Sequence, residues 1–263
     1  MPFARPRSPH LTLTISPNPK VSASNMEATI RHLSTAYTTR YYTNQQSVDS
    51  VNWLKGQYES AAKIEGATVE LFRHSWLQPS LISRIPGTSH PEEVVVIGGH
   101  IDSTSTIGNA PGTDDDASGS SAVLEVFRLL NAAGIQFNRT ISFEAYAAEE
   151  VGLRGSGDIA RKYAQDGVNV VAMLQLDMIG FKGNNPRIGL ITDYTSSELN
   201  AFARLMIYGY LEIGYENARC GYGCSDHASF TTQGFPAIFR SNFLLGSTTA
   251  TSTHLVTPSI SLT

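Results

Sequence analysis

Val94-Val95-Val96-Ile97-Gly98-Gly99-His100-Ile101-Asp102 is the stretch on which the fold turns. A short, continuous, β-branched run such as Val94–Gly98 reads as a strand buried on both faces. The small pair Gly98-Gly99 permits close backbone approach beneath a site. His100 and Asp102 then share one face of an extended segment. A carboxylate two residues from an imidazole can orient the ring and raise its basicity.

The same pattern recurs along the chain. Ile141–Ala148 is an apolar run closed by Glu149-Glu150, and Val170–Leu176 is closed by Asp177. Asp114-Asp115-Asp116 sits between Pro111-Gly112-Thr113 and Ala117-Ser118-Gly119. In open α/β sheets, ligands bind outside the carboxyl ends of the strands. Three adjacent carboxylates repel one another, and a cation removes the conflict. A solvated turn with an aspartate N-cap is the plainer reading of that triplet. Two carboxylates at a buried strand end are costly unless paired or metal-bound. One can bind metal while the other takes a proton from a metal-activated water. Ser225-Asp226-His227 is a further polar cluster, and His227 reads equally well as a loop residue. No Gly-x-Ser-x-Gly elbow supports a serine hydrolase.

Helical spacing marks 25–38, with Asn25 as N-cap, and 47–62, 118–131, 152–165 and 196–211. Strands are expected at 68–76, 80–85, 94–98, 141–146, 170–176, 187–192 and 236–240. Their alternation with helices predicts an α/β sandwich with a mostly parallel sheet in one domain. The expected organisation is an irregular lead-in over 1–24, a catalytic domain over 25–243 and a separate tail over 244–263.

The chain has 263 residues, 41% hydrophobic content and net charge −4. Neither nucleic-acid nor membrane binding is expected from that charge, and no apolar stretch reaches the ~18 residues of a spanning helix. Cys220 and Cys224 are the two cysteines. A disulfide fits their spacing better than a metal clip, since two thiols alone do not make a structural zinc site. A disulfide and the sequon Asn138-Arg139-Thr140 both point to an oxidising compartment. The proline-broken start holds no apolar signal core of ~7–15 residues, so the expectation is an intracellular protein or a lost true start.

Five stretches taken in order carry a resemblance. They are Gly99-His-Ile-Asp-Ser-Thr, Ala110-Pro-Gly-Thr-Asp-Asp-Asp-Ala-Ser-Gly, Ala148-Glu-Glu-Val-Gly-Leu-Arg-Gly-Ser, Leu176-Asp-Met-Ile-Gly and Cys220-Gly-Tyr-Gly-Cys-Ser-Asp-His-Ala-Ser-Phe. From Glu27 to Phe243 the chain resembles the dizinc aminopeptidases of the bacterial leucyl aminopeptidase type, in their secreted fungal and bacterial branch. The resemblance implies a three-layer α/β/α sandwich and two Zn2+ ions. His100 and Asp177 resemble ligands of one zinc, Glu150 a ligand of the other, and Asp115 the bridging carboxylate. Glu149 resembles the general base, which deprotonates the attacking water and protonates the leaving amine. Asp102 resembles the partner of His100, with Asp116 and Asp226 as further supporting carboxylates. Tyr222 resembles a substrate contact. A Cys220–Cys224 disulfide and a cis Asp115–Asp116 bond are implied as well. The substrate implied is a peptide or protein with a free N-terminus, cleaved by a secreted, monomeric exopeptidase.

The tail departs from that family. A C-terminal histidine in a pattern like Ile-His-Thr-x-x-Asp-Thr is missing after Phe243. Shifting the frame of codons compatible with Ser247–Ser259 can yield Tyr-Asn-Arg-Tyr-Ile-His-Thr-Ser-Gly-Asp-Thr-Ile, so the tail reads as a frameshifted or mis-spliced ending. His254 is then the one nearby imidazole, a ligand by accident, and the second zinc site and activity are expected to be impaired. Two rival readings are an inactive binding protein on this scaffold and a single-zinc acyltransferase like a glutaminyl cyclase.

Overall fold

The computed structural model describes residues 20–105, 108–181, 187–211 and 213–242. The tail expected over 244–263, His254 included, lies outside them, as does nearly all of the lead-in.

Among the described residues one eight-stranded sheet runs in the order β1-β2-β4-β3-β5-β8-β6-β7. The strands are β1 (Thr68–Phe72), β2 (Ser80–Ile85), β3 (His90–His100), β4 (Arg139–Tyr146), β5 (Asn169–Leu176), β6 (Ile188–Ile191), β7 (Tyr215–Ala218) and β8 (Ala237–Arg240). The helices are α1 (Ala23–Thr35), α2 (Gln45–Ala61), α3 (Ala117–Ala133), α4 (Arg154–Asp166), α5 (Ser197–Tyr210) and α6 (His227–Thr232). The central strands β4, β3, β5 and β8 are all parallel. The pairs β1–β2, β2–β4 and β6–β8 are antiparallel, so the sheet is mixed with a parallel heart. This is the α/β sandwich with a mostly parallel sheet that the alternation of elements predicts, in the three layers that the resemblance implies.

Side-chain alternation sends residues of the sheet to two large cores, and Ile188 and Leu190 of β6 form a smaller one with Ile207 of α5. Leu81, Ile85, Ile141, Phe143 and Ala145 pack against Leu33 of α1, Leu54 and Tyr58 of α2, and Leu124 and Phe127 of α3. Val94, Val96, Tyr146, Val170 and Met173 face Ile159 and Tyr163 of α4 and Phe230 of α6. Each fully buried aliphatic or aromatic side chain contributes ~1.5–3 kcal/mol of transfer free energy.

Several boundaries differ from expectation. Ser22, not Asn25, caps α1, because its hydroxyl accepts the Asn25 amide at 3.2 Å. β3 begins at His90, with a register shift before Val94 that polar residues at its start do not announce. The run expected over 68–76 ends as a strand at Phe72. β7 and α6 have no counterpart among the expected elements. β7 is a four-residue edge strand with an exposed face, and α6 is a single short helix, so neither shows a sustained period.

Arg40, fully buried, fastens the loop ahead of α3. Its Nε donates to Ile101 O at 2.8 Å, its Nη1 to Leu33 O at 2.8 Å and Pro111 O at 2.6 Å, and its Nη2 to Gly112 O at 3.0 Å. Gly112 has φ +49, and a Cβ there would lie 2.6 Å from Arg40 Nη2 and 2.4 Å from Asp115 O. Glycine is therefore needed for the turn that delivers Asp114–Asp116. An Arg40→Met substitution strands four carbonyls and is expected to lower unfolding free energy by ~3 kcal/mol or more, measured by urea denaturation.

Candidate metal centre

The carboxyl ends of the parallel strands meet at one edge. His100 is the last residue of β3, and Asp177 follows β5 directly. Glu149 and Glu150 lie in the turn after β4, and Asp115 lies in the loop before α3. His100 Nε2 is 2.8 Å from Asp115 Oδ1 and 3.9 Å from Asp177 Oδ2. These three residues offer ligand atoms all within 4.8 Å of one another, a spacing one cation can span. One imidazole nitrogen with carboxylate oxygens is a donor set that suits zinc.

Asp102 backs the imidazole, with its Oδ1 3.4 Å from His100 Nδ1. The same carboxylate accepts the Glu149 amide at 3.0 Å and the Glu150 amide at 3.2 Å. Asp116 caps α3 through the Gly119 amide at 2.8 Å. It also accepts the His100 amide at 3.0 Å and the Met178 amide at 3.3 Å, so it ties β3, α3 and the end of β5 together. A Cβ on Gly99 would lie 2.8 Å from the Asp116 carboxylate, which is the close approach the glycine pair allows. The Asp115–Asp116 peptide bond is cis. Ser225 donates to Asp177 Oδ2 at 2.6 Å, and Gln175 donates to Asp226 Oδ2 at 3.0 Å.

Burial and mutual repulsion dominate the electrostatics. Burial, then the Asp115 charge, pushes the Glu150 pKa up to about 8. Burial raises Asp177 to about 7, with Asp115 adding to it and His100 opposing. Asp226 is likewise raised to about 7 by burial. Burial lifts Glu149 well above the usual carboxylate range, and the Asp226 and Asp177 charges push the same way. For His100, burial would lower the pKa, but Glu149, Asp102, Asp115 and Asp177 outweigh it and hold the ring well above its ordinary value. A divalent cation would reverse this logic, because it favours every ionised carboxylate facing it. The residues present therefore fit a metal.

The family model for peptidase family M28 matches residues 80–254. The chain belongs to peptidase family M28. It is 40% identical over 235 residues to a probable leucine aminopeptidase of Arthroderma benhamiae, a match covering 86% of this chain and 64% of that protein. It is 41% identical to leucine aminopeptidase 1 of Penicillium rubens, covering 82% of this chain and 60% of that one. The chain thus spans less than two thirds of these relatives. Among solved structures, the Legionella pneumophila LapA aminopeptidase superposes with TM-score 0.78 at 34% identity, over 84% of this chain and 61% of that one. A Bacteroides thetaiotaomicron glutaminyl cyclase, at 19% identity and TM-score 0.67 over 84% of each chain, shares the fold.

Other residues of this M28 chain fall outside the donor group. His227 is fully buried, stacks on Phe239 with ring centroids 4.8 Å apart, and has its Nε2 3.1 Å from Asp193 O. The ring is thus packed into the core and is not among the three residues whose ligand atoms converge. Tyr222 is 64% exposed in the loop closed by the Cys220–Cys224 disulfide. Asp193 anchors that loop by accepting the Cys220 amide at 2.6 Å and the Gly221 amide at 3.1 Å. Arg40 sits beside the site without a local sequence signal. Burial lowers its pKa to about 10, and Asp102, Asp116, Asp115 and Glu150 oppose that fall. It therefore remains a cation facing the carboxylates at neutral pH.

Burial lowers the His227 pKa from 6.5 to about 4. The unfolded chain takes this proton first, so the contribution is intact above pH 6.5 and is lost as pH falls towards 4. The loss amounts to about 3 kcal/mol across that window. His227→Gln should flatten the fall of Tm between pH 6.5 and 4, as followed by calorimetry in matched buffers.

Proposed function

We propose that this chain is a zinc-dependent aminopeptidase that removes N-terminal residues from peptides. The observation that carries the reading is the convergence of His100, Asp115 and Asp177 on one point at the carboxyl edge of the sheet. The curated relatives at 40–41% identity are named leucine aminopeptidases, which favours peptide hydrolysis over the glutaminyl-cyclase reading.

His100, Asp115 and Asp177 would hold one zinc, and Glu150 with Asp115 would contribute to a second. Zinc held there supplies Lewis acidity to water and to a peptide carbonyl. Glu149 accepts the proton of the attacking water at its carboxylate and returns it to the leaving amine. A cation beside it would favour the ionised form of this buried carboxylate, which is the form that accepts the proton. Asp102 fixes the His100 ring and the backbone of the Glu149 turn together. The surplus of carboxylates at this edge favours the α-ammonium group of a free N-terminus. Tyr222, exposed on the disulfide loop, is proposed as a substrate contact. The disulfide supports secretion, and a monomer is the state proposed.

Chelation should abolish hydrolysis of leucine anilides, and zinc should restore it. Glu149→Gln should lower kcat by ~10²–10⁴ with KM little changed and bound zinc unaltered. Activity retained in Glu149→Gln would sink its role as base.

Among the described residues one imidazole reaches the cluster, so the second zinc lacks a neutral nitrogen donor there. Titration of the metal-free chain should give one tight zinc and a second bound at least ~10-fold more weakly. Exchanging residues 247–259 for the frame-shifted segment should tighten the second site. Two equally tight zincs in the unaltered chain would refute the impairment.

A further inference from the structure

The turn that bears Glu149 and Glu150 is held from outside by its amides. The Ala147 N–H donates to Ser80 Oγ at 2.9 Å, and the Ala148 N–H to Gln78 Oε1 at 3.3 Å. The next two amides donate to Asp102, as described above. Ala148 has φ +55, a left-handed conformation that alanine adopts at a cost when left to itself. Four consecutive amides held by three side chains therefore define a backbone shape that the local sequence does not favour.

Ser80 is itself held in place. Its Oγ lies 2.8 Å from His74 Nε2, and His74 Nδ1 lies 2.9 Å from Asp158 Oδ2. The His74 side chain is shielded from solvent and stacks on Trp76, with centroids 4.4 Å apart and planes 4° from parallel. Burial pushes the His74 pKa below its ordinary value, against the pull of Asp158, which favours the neutral ring. One direction of donation then satisfies every group. Ala147 N–H donates to Ser80, the Ser80 hydroxyl to His74 Nε2, and His74 Nδ1–H to Asp158. Asp158 belongs to α4, which starts just beyond the turn, and Arg161 holds its other oxygen at 2.9 Å. Gln78 is anchored on its far side, where its Nε2 donates to Arg40 O at 3.3 Å.

The order carboxylate, imidazole, hydroxyl is that of a nucleophile triad. Ser80 is fully buried, however, and its oxygen is occupied by the Ala147 amide, so no substrate reaches it. We propose that His74, Gln78 and Ser80, braced by Asp158, are positioning residues that set the angle at which Glu149 meets the attacking water. This rests on the reading of Glu149 as the base. Misplacing a reacting group by about 1 Å costs ~100-fold in rate, so a slack turn is visible in kcat.

The test uses the full chain loaded with zinc. Ser80→Ala and Gln78→Met should each lower kcat ~10–100-fold while KM for a leucine anilide stays within ~2-fold, as expected for loss of an interaction used in the chemical step. Bound zinc should be unchanged. Amide hydrogen exchange of residues 147–153 should speed up ~10-fold in both variants, with β3 and β5 unaffected. Asp158 is partly exposed and can be changed without emptying the core. Asp158→Asn, which keeps the acceptor for His74, should preserve kcat within ~3-fold, and Asp158→Leu should lower it ~10-fold. Unchanged exchange over 147–153 in Ser80→Ala and Asp158→Leu overturns the proposal. So does a rise in KM with kcat intact. An unsubstituted zinc-loaded chain that hydrolyses nothing removes the Glu149 reading instead, and the exchange measurement still decides whether these side chains hold the turn.

Discussion

Like charges crowded at a buried edge are the constraint around which this molecule is arranged. Asp102, Asp116, Asp177 and Asp226 are all buried, with Asp115, Glu149 and Glu150 beside them. Burying unpaired carboxylates is prohibitive. The fold answers with directed donors before any metal is considered. Backbone amides of His100, Gly119, Met178, Glu149 and Glu150 point at Asp116 and Asp102. Arg40 adds a fixed cation bound only to carbonyls, so its charge is not consumed by a single partner. Burial still leaves Glu150 and Asp177 with raised pKa values, and that residual repulsion is what a divalent cation would relieve.

The same hydrogen bonds do architectural work. Asp116 joins the ends of β3 and β5 to the start of α3, so the donors on those elements cannot drift apart independently. Asp102 couples the His100 ring to the Glu149 turn. Two fully buried carboxylates, Asp102 and Asp116, thus fix the relative placement of the elements that carry the others. The parallel strands provide the common edge, and the loops provide the aim.

Much of this was legible in the chain. The apolar runs ending in His100, Glu149 and Asp177 became β3, β4 and β5 side by side, because two-sided burial leaves a strong, uninterrupted signal. The helices with sustained periods appeared near their expected places. β7 and α6 did not, since an exposed edge strand and a single helical turn or two carry too few residues to show a period. His227 looked as much like a site residue as a loop residue. In the fold its ring packs on Phe239 and its Nε2 meets the Asp193 carbonyl, contacts that the local sequence does not announce.

The sequence by itself determined which residues could do chemistry and that they fall at strand ends, because residue type and short-range period are local properties. The tertiary structure alone decided which of them meet. It also decided that Arg40 faces the carboxylates from the connection between α1 and α2, and that Ser80 and Gln78 grip a turn more than sixty residues away. Contacts of that kind depend on strand order and on hydrogen-bond direction. Neither is written in any one stretch of the chain.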